Sequence, residues 1–278
     1  MKLLLICDRP AQSILYFPPM LENHPHPNWQ KPLPTMYDLP SEDPEEPGLP
    51  DLFHDLQPTL LSITFDSPLY PAQRRFIAKD LNLYYDVRHT SWYKRPDWFL
   101  VLDNQKSASQ KDLRLSYLIW QEGVAPFFVI ELLSPGTESE DLGQTLRDVE
   151  RPPTKWQVYE QILRVPYYAV YDRYNNNFRA FRLDGARYQE LELPDNRLWL
   201  EELQLGLGRW QGVYDRTEGL WLRWYDAENN WIPTPSEIAE QERNRAEQAE
   251  ASLLEERRKR EELLRRLQEM GIDLEREP

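Results

Sequence analysis

The run PFFVIELLSPGT at residues 126–137 sets one carboxylate, Glu131, inside the most apolar strand-like segment of the chain. KRPDWFLVL at residues 94–102 sets another, Asp97, directly after a proline at the mouth of a second such segment. A buried carboxylate left uncompensated costs several kcal/mol, so Glu131 needs a compensator. Three remain open: an arginine (Arg95, Arg147 or Arg151) in a structural pair, a raised pKa that keeps the acid neutral, or a bound cation. If the two strands pair, Asp97 and Glu131 converge at one edge of a sheet. Two hard oxygens with room for water suit Mg²⁺, and an ion so held can activate water and neutralise a phosphodiester. The plain alternative for Asp97 is a turn former after Pro96. His24 and His26 have the spacing of a metal pair but stand without further ligands close by.

The elements that must position these residues read as a mixed sheet with helices. LFHDLQPTLLSI opens a helix that Pro58 should disturb or restart. NLYYDVRH, DWFLVLD and LSYLIW are rich in aromatic and aliphatic residues and read as strands. FFVIELLS is too apolar to be half-exposed and belongs centrally, with Ser134-Pro135-Gly136-Thr137 as the turn that ends it. TKWQVYEQILRV places Trp156, Tyr159, Ile162 and Leu163 at helical spacing behind a Thr154 cap, with Tyr159 expected in the core. YYAVYDR follows as a strand. FRAFRL and RYQELEL, separated by Asp184-Gly185, read as a hairpin, and residues 198–232 close the domain as β structure. This order of elements is that of a mixed α/β domain.

Beyond Pro235 the sequence is dense in helix formers and reads as one helix. A seam of Ala246, Ala249, Leu253, Glu256, Arg260, Leu263, Leu267, Met270 and Leu274 makes a short, imperfect coiled coil. The pairs Glu255–Lys259, Glu261–Arg265 and Glu262–Arg266 support the helix.

With 278 residues, 40% of them hydrophobic and 12% aromatic, the chain can bury a substantial core. Residues 8–50 are punctuated by proline and carry an acidic cluster at 41–46, which predicts an extended arm. The net charge of −14 argues against general binding to nucleic acid but leaves a local basic groove open. The single cysteine, Cys7, excludes an internal disulfide and fits a reducing cytoplasm. No run approaches the ~20 apolar residues of a membrane span, so a cytoplasmic protein without a membrane partner is expected. The expected division is a proline-rich acidic arm at 1–50, a main domain at 51–232 and a C-terminal helix at 233–278.

Pro96-Asp97, Glu131-Leu132-Leu133-Ser134-Pro135-Gly136-Thr137, Asp141-Leu142-Gly143, Lys155 with Tyr159, and VPYYAVYDR together resemble a known bacterial family. It is the putative restriction endonuclease family, formerly a domain of unknown function, within the PD-(D/E)XK nuclease superfamily. The resemblance spans residues 50–225. It implies a restriction-endonuclease-like mixed β-sheet flanked by helices, and a metal-dependent endonuclease acting on DNA. Asp97 and Glu131 match the two acids that hold Mg²⁺ or Mn²⁺. The superfamily's lysine, two residues after the glutamate, is replaced here by Leu133. Related families supply it from the neighbouring helix, where Lys155 is the candidate. An ammonium there would lower the pKa of the attacking water or stabilise the pentacovalent charge. The family's acid near the start of the first helix has no clean match here, Glu46 being the nearest candidate, and Arg147, Arg151, Arg164 and Arg173 would offer a phosphate-facing surface. The alternative from a different class is a catalytically inactive, nuclease-like interaction module that forms a homodimer through its C-terminal helix.

Overall fold

The computed structural model describes Pro34, residues 52–133, Leu142 and residues 152–270, all within the unit Pro34–Pro278. Apart from Pro34, the acidic arm with His24, His26 and Glu46 lies outside the described residues, as do the 134–137 turn, Asp141, Gly143, Arg147, Arg151 and Leu274. Helix α1 (Leu52–Thr64) comes first and runs through Pro58 as one element. Proline removes one backbone donor, and the helix continues because Pro58 is buried on its packed face. The buried Gln57 amide then clamps α1 to a distant strand residue, donating to the Leu222 carbonyl at 2.8 Å and accepting from the Leu222 N–H at 2.9 Å. One side chain thus satisfies both backbone groups of Leu222, as a neighbouring strand would.

Short strands β1 (Arg75–Ala78), β2 (Leu83–Tyr84) and β3 (Tyr93–Lys94) follow, then β4 (Trp98–Leu102) and β5 (Tyr117–Leu118). The expected strand NLYYDVRH is cut to two residues because the Asp86 carboxylate accepts from the Arg88 N–H at 3.0 Å and turns the chain. LSYLIW is likewise a strand only over Tyr117–Leu118. It becomes the short helix α2 (Ile119–Glu122), ended by Gly123 at φ 74°. Next come β6 (Phe128–Leu132), α3 (Lys155–Gln157, continuing as a π-helical turn over Val158–Ile162), β7 (Tyr167–Asp172), β8 (Asn177–Asp184) and β9 (Arg187–Glu190). Thr154 and Gln157 form the capping box that starts α3.

Among the described residues the main sheet runs β1-β4-β6-β7-β8-β9. β6 and β7 are parallel, and the other neighbours are antiparallel, so the sheet is mixed. β6 is an inner strand, as its apolar run predicts, and β8 and β9 form the expected hairpin with Gly185 at φ 58°. Alternation then divides the core. Phe128, Ile130 and Leu132 join Trp98, Leu100 and Tyr171 beneath α1 and a second sheet of β10 (Arg197–Leu200), β11 (Leu205–Tyr214) and β12 (Thr217–Tyr225). Val129 joins Phe99, Tyr168 and Val170 on the opposite face, beneath Val158 and Tyr159 of α3. Glu131 therefore points to the α3 face.

The C-terminal helix α4 (Pro235–Glu269) begins at a Thr234–Glu237 capping box and buries none of its residues. The Glu255–Lys259 and Glu262–Arg266 pairs form as expected, at 2.7 and 2.6 Å, whereas Arg265 reaches forward to Glu269 at 3.3 Å instead of back to Glu261. No helix among the described residues is long and apolar enough to cross a membrane.

Candidate functional site

Register brings the two acids together. Trp98 pairs with Ile130 across β4 and β6, so one step further sets Asp97 opposite Glu131. Trp98 and Ile130 belong to the α1 side of the sheet, which turns Asp97 and Glu131 toward α3. The Asp97 N–H donates to Glu131 Oε2 at 3.4 Å, and Asp97 Oδ2 accepts from the Leu132 N–H at 2.5 Å. The meeting point is an end of two inner strands, not an outer strand of the sheet.

Helix α3 supplies two further donors. Lys155 Nζ lies 3.1 Å from Glu131 Oε2, and the Tyr159 hydroxyl donates to Oε1 at 2.7 Å. These residues are four apart and share one helix face, so one element reaches both oxygens of a carboxylate that is 0% exposed. Tyr159 packs in the core as expected, with its ring 5.4 Å from that of Tyr168, but its hydroxyl belongs to the site. Leu133 shares the face of Glu131 and is buried in the same cluster as Val158 and Tyr159. Position 133 is filled by packing, and the ammonium arrives from α3.

A family profile named Uma2, described as putative restriction endonuclease, matches residues 28–213. The chain belongs to the Uma2 family. No curated protein gives a match.

In this Uma2 chain the cation that meets Glu131, among the described residues, is the Lys155 ammonium. Of the three candidate arginines, Arg95 donates to Asn82 Oδ1 at 2.9 Å, and the other two lie outside the described residues. Burial pushes the Asp97 carboxyl above its usual range, against the opposing pull of the Lys155 charge, the Leu132 N–H, His54 and Glu131. Among the described residues, the Lys155 ammonium stands beside two adjacent acids, an arrangement that a proton or a divalent ion on the acid pair would suit. The donor set fits the latter: two carboxylates suit an ion that keeps several of its waters. Among the described residues no group of three His, Cys, Asp or Glu side chains comes together at one point.

Two further residues of the Uma2 chain come to this end of the sheet. His54, in the first turn of α1, sets Nε2 3.1 Å from the Leu132 carbonyl. A carbonyl only accepts, so Nε2 carries the hydrogen. Nothing in LFHDLQ marks this histidine, because its contact is 78 residues away. Arg173 follows the C-terminal end of β7, which runs parallel to β6, and stacks over Phe53, the neighbour of His54, at 4.8 Å. Arg164 does not join them. It precedes β7, at the opposite end of the sheet, and donates to the Gly185 carbonyl at 2.6 Å.

Proposed function

We propose that the protein is a metal-dependent endonuclease that hydrolyses phosphodiester bonds in DNA, using Mg²⁺ or Mn²⁺. The observation that carries this reading is the convergence of Asp97, Glu131 and Lys155, with Nζ 3.1 Å from Glu131 Oε2. Asp97 and Glu131 would hold the ion, which when bound supplies Lewis-acid activation of water and neutralisation of phosphate charge. The Leu132 N–H fixes Asp97, and the Tyr159 hydroxyl fixes one oxygen of Glu131, so both carboxylates are oriented before any ligand arrives. Lys155 would stabilise the negative charge that grows on the phosphoryl oxygens. Arg173 at the same end of the sheet would offer a local cation for the DNA backbone. The site lies in a nuclease domain at 51–232, between a proline-rich arm at 1–50 and a helical region at 233–278.

Plasmid nicking tests the activity, with Mn²⁺ titration calorimetry beside it. Asp97→Ala and Glu131→Ala should abolish both. Lys155→Ala should keep the ion and lose ~100-fold in nicking rate, the scale of a lost charge-stabilising donor. Absence of Mn²⁺ uptake by the wild type would refute the reading. A second reading, a nuclease-like interaction module, is favoured by α4, which buries none of its residues and is free to assemble. Intact protein that fails to nick DNA yet loses a partner on truncation after Pro235 would select it.

A further inference from the structure

The catalytic end of β6 has an interrupted ladder. Trp98 opposes Ile130, Asp97 opposes Glu131 by continuation, and the next position sets Pro96 opposite Leu132. A proline nitrogen carries no hydrogen, and the Pro96 carbonyl is turned to the other side, where it accepts from the Asp80 N–H at 3.1 Å. Both main-chain groups of Leu132 thereby lose their β4 partners. Side chains replace them. Asp97 Oδ2 accepts from the Leu132 N–H at 2.5 Å, and His54 Nε2 donates to the Leu132 carbonyl at 3.1 Å. The residue after Glu131 is thus held on one side by an acid of the site and on the other by an imidazole from α1.

Resting on the proposed nuclease reading, we propose that His54 is a positioning residue of the site: it substitutes for the backbone donor that Pro96 lacks and so holds the end of β6 in the register that sets Glu131 against Asp97 and Lys155. The imidazole is well placed for this. Gln57, one turn further along α1, bonds both backbone groups of Leu222, so the helix is fixed before His54 reaches across. Pro58, four residues after His54, holds the same stretch of helix in the core. Without the His54 bond the last carbonyl of β6 would be satisfied by water, the strand end would fray, and the Leu132 N–H would leave Asp97.

The test uses the full chain and variants His54→Ala and His54→Gln, the latter keeping a side-chain N–H donor. Amide hydrogen exchange at Leu132, measured without metal, should speed up about tenfold in His54→Ala and return to within about threefold of wild type in His54→Gln. Mn²⁺ affinity by calorimetry should fall ~10-fold or more in His54→Ala and recover in His54→Gln, the scale of a lost supporting hydrogen bond at a metal site. Unchanged exchange at Leu132 in His54→Ala, unchanged Mn²⁺ affinity in that variant, or a glutamine variant as impaired as the alanine one would each overturn the proposal. If the wild type takes up no Mn²⁺, the nuclease reading fails, and the exchange measurement still decides whether His54 holds Leu132.

Discussion

At the scale of single residues, the site is a pair of adjacent buried acids, Asp97 and Glu131, with the Lys155 ammonium on one of them. Burial raises the Asp97 carboxyl, so the folded chain binds that proton more tightly than the unfolded chain does. The stabilisation from such a group is complete below the ordinary value of 3.8 and is lost as pH rises through the higher folded value. Metal-free Asp97→Asn should therefore melt at a higher temperature than wild type at pH 7. Its advantage should shrink as the pH approaches 3.8, and thermal unfolding across that range measures it. Tyr159→Phe removes the donor to Glu131 Oε1 with little change in shape. It should cost about 1–3 kcal/mol in urea unfolding, because the carboxylate oxygen left behind is buried.

At the scale of elements, α1 and α3 do different work from opposite faces of one sheet. Helix α3 delivers Lys155 and Tyr159 to Glu131 because its capping box fixes where its first turn begins. Helix α1 delivers His54 because Gln57 locks it to β12. Gln57→Leu should cost about 2–4 kcal/mol in denaturant unfolding, since it leaves both backbone groups of Leu222 buried and unsatisfied. The variant should also weaken Mn²⁺ binding although residue 57 touches neither acid. Much at this scale was legible in the sequence. The hairpin at Asp184-Gly185, the cap at Thr154 and the inner position of the strand within FFVIELLS all carry local signals, and the structure places each where those signals point, the strand itself running Phe128–Leu132. The shortened strands at Leu83–Tyr84 and Tyr117–Leu118 were not legible, because an Asp86 side-chain turn and a helical turn overrule aromatic β-propensity there.

At the scale of the whole molecule, a main sheet packed on both faces carries a 35-residue helix that buries nothing. Leu253 and Leu263 on this helix and Met270 at its C-cap are exposed, and they are the side chains through which the proposed self-assembly would pair two copies. Light scattering should give a dimer for the full chain and a monomer for a Leu253→Asp, Leu263→Asp variant. The melting temperature of the sheet domain should not change, since those leucines support no core.

The sequence by itself determined that Glu131 lies in a buried strand, that Asp97 opens a second strand and that Lys155 starts a helix, because hydrophobicity, proline and capping are local properties of the chain. Only the tertiary structure decided that Asp97 lies opposite Glu131, that Lys155 and Tyr159 take separate oxygens of one carboxylate, and that His54 closes the ladder beside Pro96. Those are consequences of strand register and helix docking, which depend on contacts between residues 24 to 78 positions apart. No local pattern encodes them.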